Sequence, residues 1–131
     1  TIEEFLTTDT TQFDIITCME LLEHVPDPRK LIADCAKLLK PGGKIFLSTI
    51  NKTLRAYVLA IVGAEYVLNI VPKQTHDYNK FIRPSELADM LQYSGLKLKL
   101  LRGLQYKPFT KTARLSSDVR INYLAYAIKE N

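Results

Sequence analysis

The sequence predicts an α/β fold with a mainly parallel sheet, and three observations carry that expectation. An apolar, β-branched run at residues 13–19 (FDIITCM), a segment of helical period and a second apolar run at residues 44–50 (KIFLSTI) follow one another with short joints. That is the order of a βαβ unit, whose strands are parallel with a right-handed crossover. A helical stretch at 84–94 (PSELADMLQYS) then leads into the alternating run 96–101 (LKLKLL), and a last apolar run closes the chain at 119–128 (VRINYLAYAI). The final two runs lie close enough in sequence to pair as an antiparallel couple at one edge of the sheet.

Each element has its own local reason. The first run is apolar on both faces, as strands buried in a parallel sheet are. Asp27 is a natural N-cap, with Pro28 well placed at the first helical position. Leu31, Ile32, Cys35, Leu38 and Leu39 recur at spacings of three and four and form one helix face. Lys40-Pro41-Gly42-Gly43 reads as the end of that helix. Gly95 stops the second helix, and residues 107–118 read as irregular.

Size and composition narrow the class. With 131 residues, 47% hydrophobic and 24% charged, the chain has the make-up of one globular domain rather than of a disordered segment. Five Gly and six Pro exclude a collagen-like or low-complexity chain. Two Cys without a CxxC spacing exclude a disulfide scaffold and a thiolate zinc site and suit a reducing compartment. No charged-then-apolar leader opens the sequence, so no export signal is expected.

The net charge of +4 is unevenly spread. Residues 1–51 carry eight acidic and five basic side chains, whereas residues 52–114 carry eleven basic and four acidic ones. Such asymmetry suggests two surfaces with different partners. The aromatics do not interleave with the basic residues as a nucleic-acid stacking platform requires, so no nucleic-acid partner is expected. Residues 56–71 are apolar almost all round but are interrupted by Glu65 and Asn69. They fall short of the about 20 apolar residues needed to span a bilayer. Flanked by Arg55, Lys73, Lys80 and Arg83, they fit an interfacial helix on an anionic lipid surface, with a buried core helix as the alternative.

The chemistry-bearing residues cluster after the first strand, where open α/β sheets place their ligands. Glu20, Glu23 and His24 stand at positions i, i+3 and i+4, one face of a helical turn. Two carboxylates and an imidazole suit a divalent cation with open positions, and equally suit two solvated glutamates beside a surface histidine. Ser48, Thr49 and Asn51 end the second strand at the same sheet edge and suit a polar ligand or plain turn formation. His76 is a candidate base in the loop after the apolar segment. Cys18 and Cys35 read as core.

The stretch FDIITCMELLEHVPDPRKLIADCAKLLKPGGKIFLSTIN resembles the second half of a class I S-adenosylmethionine-dependent methyltransferase. CMELLEHVPDP, STIN, VGAEYVLNIVPKQTHDYNKFIRPSEL and NYLAYAIK are similar, more narrowly, to the ubiquinone-biosynthesis O-methyltransferase family. The resemblance covers nearly the whole chain and implies a Rossmann-like sheet of seven strands. This chain would supply the fourth to the seventh, the last of them inserted antiparallel.

The resemblance further implies O-methylation of a polyprenylated catechol with S-adenosylmethionine as cosubstrate. Met19 would touch the cosubstrate, and Glu20, Glu23 and His24 would hold a divalent metal, Mg2+ in the first instance. By the same resemblance the insert at 52–82 would face membrane lipid; apart from the resemblance, His76 is kept as a secondary candidate for the catalytic base. The glycine-rich loop and ribose-holding acid of the family are absent from these 131 residues. Further strands are therefore expected before residue 1, and the chain alone is expected to bind the cosubstrate weakly and to be inactive. The implied setting is the inner face of a bacterial inner membrane, or the matrix side in a mitochondrion, beside other enzymes of ubiquinone biosynthesis. Two other readings remain open: a methyltransferase of another small hydroxylated substrate, and a non-catalytic membrane-binding fragment.

Overall fold

The computed structural model describes residues 1–53, 78–107 and 109–131. In chain order it holds helix α1 (Ile2–Thr8), strand β1 (Phe13–Met19), helix α2 (Pro28–Leu38), strand β2 (Leu39–Ile50), helix α3 (Pro84–Tyr93), and strands β3 (Leu96–Lys107), β4 (Thr112–Ser116) and β5 (Asn122–Lys129). Short 3₁₀ turns stand at Leu22–His24 and Tyr78–Lys80. The strands form one five-stranded sheet in the order β1-β2-β5-β3-β4.

The βαβ unit forms as expected: β1 and β2 are parallel, with Met19 level with Ser48. Asp27 caps α2 by accepting from the Lys30 N–H at 3.0 Å. The Lys40–Gly43 stretch does not cap this helix. The helix stops at Leu38, the chain turns directly into β2, and the glycines lie within that strand. There they make an irregular step in the ladder between Phe13 and Ile15. A Cβ on Gly43 would meet the Lys40 carbonyl oxygen at 2.8 Å, so the step needs glycine.

The late strands depart from expectation in one respect. β5 and β3 do pair antiparallel, but not at an edge: β5 lies between β2 and β3, antiparallel to both, and β3 continues outward to β4. A strand in the middle of a sheet must tolerate close cover. Tyr123, Ala125 and Ala127 alternate along β5 as its buried side, and two alanines let the neighbouring layer approach. Part of the region read as irregular is the β3–β4 hairpin. Helix α1 carries a capping box between Thr1 and Glu4.

Ile32, Cys35 and Ala36 of α2 and Leu87 and Leu91 of α3 pack with Ile45, Leu47, Leu96 and Tyr123 of the sheet in one core. On the opposite sheet face the rings of Phe46 and Tyr126 stack at 4.9 Å, and Ile15, Met19 and Leu100 are exposed. Among the described residues β1 is an outer strand.

Asp34 joins α1 to α2. Its buried carboxylate accepts from Lys30 at 3.0 Å and Lys37 at 2.9 Å, and Lys30 also reaches Glu3 at 2.8 Å. Burial pushes the Asp34 carboxyl up, but the hydrogen bonds from Lys37 and Lys30 outweigh it and hold it below its usual range. A depressed carboxyl stabilises the fold above its unfolded pKa, and that contribution is lost as pH falls through the folded value. Asp34→Asn is therefore expected to lower stability at pH 7 by about 1 kcal/mol. Urea melts should show the difference between variant and parent closing as the pH falls below about 4.

Candidate active site

Because β1 and β2 are parallel, their carboxyl ends reach the same sheet edge, and the site is built there. Met19 ends β1 about half exposed. The next residue, Glu20, takes a left-handed backbone conformation, φ 49°, uncommon for a side chain of this kind. It is held there from β2. The Glu20 N–H donates both to the Ser48 carbonyl oxygen, at 3.1 Å, and to Ser48 Oγ, at 2.9 Å. The chain then makes a single 3₁₀ turn, Leu22–His24, closed by the His24 N–H on the Leu21 carbonyl at 3.0 Å. Leu22 points into the core and is 1% exposed.

Glu23 is the unusual member of this turn. Its carboxylate is 4% exposed. Thr49 Oγ1, itself fully buried, donates to Glu23 Oε2 at 2.8 Å. Glu23 Oε1 has no hydrogen-bond partner among the described residues. Leaving one oxygen of a buried carboxylate unsatisfied costs about 1–3 kcal/mol or more.

The three expected metal ligands are not gathered. The i, i+3, i+4 argument needs a helical turn beginning at Glu20. Here Glu20 is left-handed and the helical residues begin at Leu22, so Glu20 and Glu23 do not stack on one face. Glu20 and His24 are exposed while Glu23 is buried. Among the described residues no three His, Cys, Asp or Glu side chains stand together so as to hold a metal ion. As placed here, these residues do not by themselves form a cation site.

The polar residues ending β2 are structural here. Ser48 and Thr49 grip the turn; the Asn51 side chain donates to the Val119 carbonyl at 2.7 Å, and its N–H donates to the Ile121 carbonyl at 2.8 Å. A contribution not visible in the sequence is that of Tyr123. Its buried hydroxyl donates to the Ile82 carbonyl at 2.9 Å, while the Ile82 N–H donates to the Ile50 carbonyl at 3.1 Å. These bonds tie residues 81–82 to the same strand ends. Beside the turn lies a cavity of about 250 Å³ walled by Leu22, Val25, Lys52, Lys80, Phe81 and Glu86. A larger one, about 600 Å³, opens between α2 and α3 beside Arg29 and Tyr93, away from the strand ends. His76 and most of the 52–82 insert lie outside the described residues.

A methyltransferase-domain family model matches residues 2–101. The chain belongs to the methyltransferase-domain family. It is 58% identical over 122 residues to the ubiquinone biosynthesis O-methyltransferase of Coxiella burnetii, covering 93% of this chain and 52% of that protein. To the proteins of the same name in Saccharophagus degradans and Acinetobacter baylyi it is 55% and 52% identical, over 98% of the chain and 55% and 54% of those proteins. The chain thus spans about half the length of the curated relatives it matches. Among solved structures it resembles the magnesium protoporphyrin IX methyltransferase of Synechocystis with bound SAH, TM-score 0.61 at 17% identity, over 95% of this chain and 48% of that one. A SAM-dependent methyltransferase of Thermotoga maritima gives TM-score 0.62 at 14% identity, over 93% and 58%. These likenesses show the α/β fold of this methyltransferase-family chain.

Neither buried hydroxyl nor thiol beside Glu23 is ionised at neutral pH. Burial, and next the charge of Glu23, pushes the Cys18 thiol up to about 11. Burial, then Glu86 and Glu23, raises the Tyr123 hydroxyl well above its ordinary value. Cys35 is pushed up to about 12, first by burial. Both cysteines are accordingly expected to resist a thiol reagent at pH 7.5 in the native protein and to react only in denaturant; rapid native labelling of Cys18 would show this corner of the core to be open.

Proposed function

We propose that this chain is one half of an S-adenosylmethionine-dependent O-methyltransferase that methylates a polyprenylated catechol in ubiquinone biosynthesis. The observation that carries the reading is the 52–58% identity to relatives of that name across 93–98% of the chain. The strand-end turn, with its buried, half-satisfied carboxylate, supports it.

Methyl transfer from a sulfonium is an in-line displacement: the O–CH₃ bond forms as the S–CH₃ bond breaks, and the phenolic proton must leave. The protein's first task is to hold the oxygen about 3–3.5 Å from the methyl carbon, on the line of the breaking bond. Met19, at the end of β1, is the cosubstrate contact in this reading. A phenol with a pKa near 10 is mostly protonated at pH 7, so the second task is to favour its anion. A divalent cation bound by Glu20, Glu23 and His24, Mg2+ in the first instance, would supply a Lewis acid for that purpose. The chain's own contribution is the Glu23 carboxylate, dry on one side and fixed by Thr49. His76 is the secondary proton acceptor. The apolar segment 56–71 and its basic flanks would bring the site to an anionic bilayer, where a polyprenyl tail resides.

Two outcomes test this. In an enzyme of full family length, Glu20→Ala and Glu23→Ala should each lower kcat/KM for a prenylated catechol on the order of 100-fold, the loss of about 3 kcal/mol of charge stabilisation. Unchanged turnover, or full activity in the presence of a chelator, contradicts the cation's role. The 131-residue chain alone should give no micromolar heat of binding with S-adenosylmethionine in calorimetry, and micromolar binding would show that this half holds the cosubstrate unaided.

A further inference from the structure

We infer that the hairpin of β3 and β4 docks on an anionic lipid bilayer, with Phe109 entering the interface and Lys107, Lys111 and Arg114 meeting lipid phosphates. Strand directions place it. β5 is antiparallel to β2 and β3 is antiparallel to β5, so β3 runs the same way as β1 and β2. Gly103 is level with Tyr123, and Tyr123 with Thr49 near the end of β2. From Leu104 to Lys107 the strand goes on, paired with β4 alone among the described residues. At about 3.3 Å per residue, this stretch carries the ribbon roughly 13 Å past the sheet edge that holds the candidate site.

The composition of that ribbon selects its partner. Residues 97–117 carry six basic side chains and no acidic one. Lys107, Lys111 and Arg114 are exposed. Arg114 Nε donates to Gln105 Oε1 at 3.0 Å, a neutral partner that leaves the charge in place. Leu104 and Leu115 face each other across the two strands, 38% and 58% exposed, and Phe109 is fully exposed. Phe109 is no part of the core, and a two-stranded ribbon gains little in water from such residues. An apolar ring on a convex tip needs a medium that closes around it. A fluid bilayer does so, and each basic residue near its anionic surface strengthens binding about fivefold. β4 and β1 are opposite outer strands of the described sheet, so this contact is separate from the β1 edge. It adds to the bilayer contact proposed for residues 56–71 and does not depend on it.

The chain has no Trp, so Phe109→Trp puts a single indole on the hairpin. That variant is titrated with vesicles of equal parts phosphatidylglycerol and phosphatidylcholine, with vesicles of phosphatidylcholine alone and with soluble polyglutamate, while sedimentation follows vesicle binding of the whole chain. The expected result is sedimentation with the anionic vesicles together with indole emission shifted to shorter wavelength, and neither with phosphatidylcholine alone. Lys107→Gln combined with Lys111→Gln should weaken binding about 25-fold. Phe109→Ser should weaken it on the order of tenfold, with far-UV circular dichroism unchanged in both. Sedimentation with indole emission that stays as in water overturns the inference and leaves the contact of residues 56–71 standing. Absence of sedimentation overturns both. An equal shift on phosphatidylcholine alone leaves the charges without a role and overturns the inference, and a shift with polyglutamate but not with vesicles overturns it in favour of an acidic protein.

Discussion

The candidate site depends on one small set of hydrogen bonds, between the last residues of β2 and the turn that follows β1. Ser48 receives the Glu20 amide twice over, and Thr49 donates to the Glu23 carboxylate. The first contact holds a glutamate in a backbone conformation that non-glycine residues rarely adopt, and such strain persists only where surrounding structure over-determines it. The second fixes a charge in the core. Both are possible because β1 and β2 are parallel neighbours in a register that sets Met19 beside Ser48. The βαβ unit, with its Asp27-capped helix, is thus what brings an acidic turn and a hydroxyl pair to one point.

The rest of the described structure braces that point. β5, inserted between β2 and β3, carries the small residues that let the core close over it and the tyrosine that ties residues 81–82 back to the strand ends. The connection before β5 holds Asn51 through the Val119 and Ile121 carbonyls. Gly103 on β3 makes room for this connection, since a Cβ there would overlap the Asp118 carbonyl. The exits from β1 and β2 and the entry into β5 therefore form one hydrogen-bonded assembly at a single sheet edge.

Much of this architecture was legible in the sequence, because period and capping are local signals. The run FDIITCM, the Asp27-Pro28 helix start and the alternation of NYLAYAIK each state their element without help from the rest of the chain. The position of β5 was not legible from pattern alone. Alternation marks a strand, but which neighbours it joins is decided by long-range packing, and only the family resemblance pointed to its insertion. Lys40–Gly43 misled because glycine serves a helix stop and a strand irregularity alike. At the site, the spacing argument for ExxEH assumed a helical backbone from Glu20 onward. The tertiary bond from Ser48 selects a left-handed residue there instead, and nothing local to the turn announces it. Ser48 and Thr49, which suit a polar ligand or turn formation, hold the turn that carries the acids.

The most direct test of this account is amide hydrogen exchange at Glu20, followed residue by residue by NMR in the parent and in Ser48→Ala. The account predicts a Glu20 amide exchanging about two orders of magnitude or more below its unstructured rate, and clear acceleration in the variant while the amides of β1 and β2 stay protected. A Glu20 amide that exchanges at the unstructured rate in the parent would contradict it, for the turn would then not be gripped by β2 at all.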